Sequence, residues 1–465
     1  MMLHRSALAL AALLAPAALG AAAQAQTLTE ALAQAYANNP ALLAARANLR
    51  AVDENVPQAL AGWRPTVSIA SSIGVTDSQT RAKGITSLTG PAQSDRTTGS
   101  QTVTITQPVF RGGRTVASTR RAENQVLAQR ARLLATEQQV MADSVNAYVA
   151  VIRDQEILRL RINNEQVLTE QLRATNERFR VGEITRTDVA QAESRLAGAR
   201  SDRANAEGTL QISRATFQRF IGTAPQRLVA PQPLRSPVSS AAAAAQVAAT
   251  NNPAVVAALF DEAGARDNID IQVSALLPQL SVQGQAFRND NPAQPHTRLT
   301  GSQLIASLTV PIYQGGAEYA LVRQARQTAQ QARGVVDDQR RTAAQAATQA
   351  FEQVQASKAQ ADSARAQIRA AEIALDGVQR EAIVGSRTTL DVLNAEQELL
   401  NARTSLVQAL ATVVAQSYTL AASIGRLTAQ DLGLAVDVYD AQAYYNAVRN
   451  RWAGLGDYSG VAERR

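Results

Sequence analysis

The chain has 465 residues, of which 46% are hydrophobic, 18% charged and 4% aromatic, with a net charge of +7 and a pI near 10.0. It holds no cysteine and two histidines, which excludes disulfides, thiolate chemistry and a lipidated N-terminal cysteine, and leaves zinc hydrolysis, histidine triads and haem binding without ligands. Of its 46 basic residues 44 are arginine, scattered among acids, and the aromatics are too few for a stacking surface, so no nucleic-acid partner is indicated.

Residues 1–25 read as a secretory signal peptide. Arg5 charges its start, Ala7 to Ala23 form the apolar core, and Ala23-Gln24-Ala25 fits a small-x-small cleavage site. A non-cleaved anchor is the alternative, but Pro16 and Gly20 interrupt the run. Beyond it no stretch of 18 or more apolar residues occurs, so no membrane-spanning helix is expected. Barrel strands remain open, because their hydropathy signal is weak.

The remainder is a duplication. Asn38-Asn39-Pro40 recurs as Asn251-Asn252-Pro253 and Pro65 as Pro278, both at an offset of 213 (251−38, 278−65). After a loop the offset becomes 203, pairing Pro108 with Pro311, Gly112-Gly113 with Gly315-Gly316, Val181-Gly182 with Val384-Gly385, and Ile221-Gly222 with Ile424-Gly425. Repeats of nearly 200 residues are far longer than solenoid units, and a duplicated module of this size suits a ring or tube better than one catalytic pocket.

The first repeat, residues 26–222, opens with a helix from Leu28 to about Leu60. Strands are expected at about 65–76 and 101–110, where Val67, Ile69, Ile73 and Val75, then Val103 and Ile105, alternate with Thr and Ser. A long helix follows at about 114–180, 67 residues (180−114+1) without proline or glycine. In it Leu127, Leu134, Met141 and Tyr148 form one column at a spacing of seven, beside Val126, Leu133, Val140 and Ala147. The return helix, about 184–221, carries a narrow 3-4 seam from Val189 through Ala192, Leu196, Ala199 and Leu210 to Phe217, the pattern of coiled-coil packing.

Residues 223–240 are a Pro-rich linker. The second repeat, 241–425, places strands at about 278–288 and 302–313, a long helix at about 317–383 and a return helix at about 389–424. The tail, 426–465, breaks the repeat; Trp452 is a candidate to pin it, and its end at Arg464-Arg465 is expected to be mobile.

At these motifs the chain resembles the TolC-like outer-membrane channel proteins, over essentially all of the mature sequence. The resemblance is most specific at Val310-Pro311-Ile312-Tyr313-Gln314-Gly315-Gly316, similar to the family's strand-to-helix junction. It is equally specific at the two helix tips, Arg178 through Val189 and Val384 through Asn394. It implies an α+β membrane channel, in which a homotrimer forms a twelve-stranded outer-membrane β-barrel continued by a periplasmic coiled-coil tunnel. It further implies outer-membrane lipid around the barrel, a periplasmic adaptor and an inner-membrane transporter as partners, no cofactor, and no catalytic residue. Substrate, whether protein in type I secretion or a small molecule in efflux, would pass without chemistry.

The resemblance also implies a gate at the periplasmic tips. Arg387 occupies the position of the family's locking arginine, with Thr187 and Asp188 opposite; the Arg387–Asp188 pair reads as a charge-assisted lock or as an exposed salt bridge of little worth. The family's companion tyrosine position holds Ala382, so one lock contact is missing. Asp391 matches a pore-lining acidic position and would form a ring of three carboxylates, while its companion position holds Asn394. Asp391 also reads as a helix N-terminal charge. Gly182 and Gly385 are expected to end the long helices in left-handed geometry. No metal ligand set is present. The alternative is a surface-exposed structural or adhesive coiled-coil protein, which accounts for the heptads but not for the duplicated strands and tip turns.

Overall fold

The computed structural model describes residues 26–80, 92–292, 296–456, 458 and 460. The expected signal peptide and the end of the tail lie outside them.

Helix α1, Leu28–Asn38, starts at a capping box: Thr27 accepts from the Glu30 N–H while the Glu30 carboxylate accepts from the Thr27 N–H. It stops at Asn39, whose extended backbone is what a following proline demands. Asn39 then caps α2, Pro40–Asp53, with Pro40 in the first turn. A short α3, Asn55–Leu60, follows. The opening segment is therefore three helices rather than the one expected. Pro40 breaks it first, and Pro57, which has no N–H for the Asp53 carbonyl four residues back, breaks it again.

Strands β1, Thr66–Thr80, and β2, Ala92–Arg111, run beyond the expected 65–76 and 101–110. Their outer ladder pairs Thr76 with Arg96 and Asp77 with Asp95. Both faces are polar there, so the ladder continues where the apolar alternation that signals a strand has ended. Next come α4, Arg114–Arg180, and α5, Arg186–Ile221. The second repeat supplies α6, Ala241–Asn251, and α7, Pro253–Val273, then β3, Gln279–Asp290, and β4, Arg298–Thr309. It ends with α8, Ala317–Ile383, and α9, Thr389–Ser423. β4 stops before Pro311, which removes a ladder donor, instead of reaching 313. A short α10, Ala443–Val448, lies in the tail.

Helices α4 and α8 each have 67 residues, about 100 Å of rod. Each folds back against its return helix. On α5 the buried residues are Val189, Ala192, Leu196, Ala199, Leu210, Ser213, Phe217 and Ile221, a seam one or two residues wide. α9 buries two adjoining columns, including Val392 with Leu393 and Val413 with Val414. By length and composition α9 is apolar enough to cross a membrane, yet it lies along α8 as a member of this helical body.

The largest core sits midway along the rods. Leu32, Tyr36, Leu42 and Leu49 of the opening helices pack there with Met141 and Tyr148 of α4, Phe217 and Ile221 of α5, and Leu427 and Leu434 of the tail. A smaller counterpart joins Ala244, Ala248 and Val255 to Ala347, Val354, Leu420 and Ile424. Trp452 does not pin the tail by burial: it is 71% exposed, with the Arg64 guanidinium 5.1 Å from its ring. The hold comes from Leu427 and Leu434, from the Tyr439 N–H donating to the Tyr36 hydroxyl at 3.0 Å, and from Arg449 on Glu123 at 2.7 Å.

The four strands form one antiparallel sheet in the order β1-β2-β3-β4. Register places Val67, Ile69, Ile73 and Val75 on one face with Val103, Ile105, Leu280, Val282, Leu304 and Leu308. The other face carries Ser68, Ser72, Thr102, Thr104, Thr106, Gln283, Gln285 and Gln303. Ile73, Val75 and Leu304 are each about four-fifths exposed, and among the described residues the edge strands β1 and β4 are each paired on one side only.

Candidate functional site: the helix tips and the two-faced sheet

Both hairpin tips are built alike. The α4–α5 turn passes through Gly182 and the α8–α9 turn through Gly385, each at φ 79°, a left-handed value that a side chain would strain. After each turn a threonine caps the return helix. The Thr185 N–H and hydroxyl both donate to the Asp188 carboxylate, at 3.0 and 2.7 Å, and the Asp188 N–H donates to the Thr185 hydroxyl at 3.3 Å. In the second tip the same bonds join Thr388 and Asp391 at 3.0, 2.8 and 3.2 Å. These bonds, to the Thr185 hydroxyl for Asp188 and to the Thr388 N–H first for Asp391, hold both carboxyls below the ordinary range. Both are therefore ionised at neutral pH.

The charges that close the two turns are reversed in order along the chain. In the first tip Arg178, before the turn, bonds Glu183 after it at 2.6 Å. In the second, Glu381 precedes the turn and receives Arg387 at 2.8 Å. The sequence reading paired Arg387 with Asp188 across the tips. Within the protomer the structure does not bring them together: Arg387 is bonded to Glu381, and Asp188 to its own cap. Thr187 is exposed beside Asp188. Asp391 is a capping residue on a half-buried position of α9.

Sequence reasoning missed Arg195. Its Nη2 donates to the Asn394 Oδ1 at 2.8 Å, from the first repeat to the second. The neighbouring residues Leu196 and Leu393 are buried together with Leu168 and Ala199. The seam position of Leu196 was readable, but nothing in one strand of sequence tells which residue of another helix an adjacent arginine will meet. Among the described residues no group of three or more His, Asp or Glu gathers to hold a metal ion.

A sheet with one mainly apolar and one mainly polar face, carried on paired helical rods of some 67 residues, is the architecture of an outer-membrane exit duct. The chain belongs to the outer membrane efflux protein family, whose pattern matches residues 31–223 and 244–426, one stretch in each repeat. It is 36% identical over 437 residues to the outer membrane efflux protein BepC of Brucella suis, covering 94% of this chain and 93% of that protein. It is 27% identical over 431 residues to the outer membrane protein TolC of Vibrio cholerae, covering 89% and 94%. The solved CmeC outer membrane channel of Campylobacter jejuni has the same fold, with a TM-score of 0.77 at 16% identity, covering 91% and 89%. The protein resides in the outer membrane, and its family consists of channels rather than enzymes. A surface coiled-coil protein accounts neither for this membership nor for the unlike faces of the sheet.

Proposed function

We propose that three copies of this chain join edge to edge as a twelve-stranded barrel in the outer membrane, and that their helices continue it as a periplasmic tunnel. The sheet carries this reading. Its β1 and β4 edges are open and its apolar face is bare, a combination that in water invites edge-to-edge pairing and that marks an interaction or membrane surface. Closure abolishes the edges, sets the apolar face against lipid and turns the Thr, Ser and Gln face to an aqueous lumen. Strands of 12 to 20 residues are long enough to span the membrane when tilted.

In this reading the duct receives substrate from an inner-membrane transporter through a periplasmic adaptor and passes it outside with no bond made or broken. The name of the Brucella relative, an efflux protein, supports export through this duct, and relatives named as protease secretion proteins support protein as well as small molecules as its substrate. At the inner end the tips close. Arg387 would exchange Glu381 for Asp188 or Thr187 of a neighbouring copy, a charge-assisted contact that a docking partner can undo. Asp391 of three copies would form an acidic ring favouring cations.

Single-channel conductance of the mature protein in a planar bilayer, with Arg387→Ala alongside, tests this. Small cation-preferring steps that grow in the variant are expected. Silence from a folded preparation would overturn the channel reading, and equal steps from both proteins would remove Arg387 from the gate.

A further inference from the structure

The tips are polar but self-contained. Arg178, Glu183, Glu381, Arg387, Asp188 and Asp391 all spend their bonds within their own hairpin. Among the described residues, one side-chain hydrogen bond joins α4 or α5 to α8 or α9: Arg195 Nη2 to Asn394 Oδ1, at 2.8 Å. No ion pair makes that connection. The bond lies beside the apolar contact of Leu393 with Leu168, Leu196 and Ala199, so a polar clasp and a buried knob occur together at one level of the rods.

Among the described residues no carboxylate lies within ion-pair distance of Arg195, whose partner is the Asn394 amide oxygen. Its charge is turned toward a neutral amide oxygen. Asn394 follows Asp391 by three residues on α9, and residues so spaced are neighbours on one helix face.

We infer that Arg195 is a positioning residue that fastens the second hairpin of each protomer to the first and brings a positive charge to the tip that carries Asp391. The inference rests on the channel reading above and deepens it. Swinging the second hairpin away from the first must break the Arg195–Asn394 bond and withdraw Leu393. The same arginine adds one positive charge per copy to the tip that also carries Asp391 and Arg387, so the entrance is less negative than its carboxylates alone would make it.

The test is a conductance cycle on Arg195→Ala, Asn394→Ala and the double variant, with ion selectivity read from reversal potentials. Each single variant is expected to raise conductance or open fraction about two- to fivefold, the worth of an exposed charged hydrogen bond. The double variant should do no more than either single, because both remove one bond. Selectivity separates clasp from charge: Arg195→Ala moves toward cations, whereas Asn394→Ala, which keeps the arginine, stays near the parent. A merely structural role would not produce that split. The chain has no cysteine, so Arg195→Cys with Asn394→Cys introduces the only two thiols. A short bifunctional thiol cross-linker across them should hold the channel at its low conductance, and a cleavable version should release it. A parent protein that conducts while the singles are unchanged, or a double equal to their product, overturns this inference alone. A folded parent that never conducts overturns the channel reading beneath it.

Discussion

The side-chain amide of Asn39 donates to the Phe220 carbonyl at 3.0 Å, and Asn252, 213 positions later (252−39), donates to the Ser423 carbonyl at the same distance. Each asparagine also accepts, through Oδ1, from the N–H two residues on, Ala41 or Ala254, at 2.9 Å. One side chain thus starts a helix of the opening segment and satisfies a terminal carbonyl of the return helix. That is how the short opening helices stack on the end of the return helix in both repeats.

Replacing this asparagine removes a cap and leaves a helix-end carbonyl unpaired. Asn39→Ala should cost about 1–3 kcal/mol. Asn252→Ala should cost less, because Asn252 is half-exposed and water can replace the lost bonds. Thermal unfolding of the two variants in detergent checks both the loss and its order.

Tyr148 staples the chain entry to the linker. Its hydroxyl lies 2.8 Å from the Gln26 carbonyl and 2.7 Å from the Val229 carbonyl, and accepts from the Val229 N–H at 3.1 Å. Gln26 and Leu228 form a parallel bridge at this point. Burial pushes the phenol up to about 12, so it stays a neutral donor throughout the useful pH range. Tyr148→Phe keeps the ring against Phe217 but strands these groups, and should cost about 1–3 kcal/mol. Limited proteolysis should find the linker, residues 223–240, cut faster in the variant.

Asp53, the last residue of α2, is fully buried, and neither carboxylate oxygen receives a hydrogen bond. Burial pushes its pKa from 3.8 to about 7; Arg130 draws it down in part, and Glu54 adds to the rise. The folded state therefore holds this proton more tightly than the unfolded chain. The associated stability is complete below pH 3.8 and falls as pH rises to about 7, above which the loss is full. The whole effect is at most about 4 kcal/mol. Asp53→Asn, uncharged at every pH, should flatten the dependence and raise the melting temperature at alkaline pH. Melting curves in detergent across the neutral range would show it, and an unaltered pH profile would count against Asp53 as its source.

If Asp391 lines the duct entrance, its removal should lower cation preference. Asp391→Asn keeps a side-chain acceptor for Thr388, so the cap survives in part. The expected result is a reversal potential shifted toward zero under a salt gradient. A drop in thermal stability with selectivity unchanged would mark Asp391 as a helix cap alone.

Much of the architecture is legible before any coordinates. The stretch from Arg114 to Arg180 has no proline or glycine and is one helix; Gly182 and Gly385 mark the turns that follow the two rods. The alternation of Val67, Ile69, Ile73 and Val75 marks one apolar face of the sheet. Other features left little trace. The outer ends of β1 and β2 are polar on both faces, and Pro57 breaks a helix whose apolar spacing runs on without a gap.

The sequence by itself determined where the two long rods and the turns after them lie and which strand residues share the apolar face, because helical and strand periods and glycine act within a few residues of themselves. Tertiary structure alone decided that Arg387 meets Glu381, that Arg195 crosses to Asn394, and that the Asp53 carboxylate is buried without a hydrogen bond. Those outcomes depend on how far each helix is rotated and shifted against its neighbour. That rotation and shift are settled by the packing of whole seams such as Val189 to Ile221, and no single residue carries them.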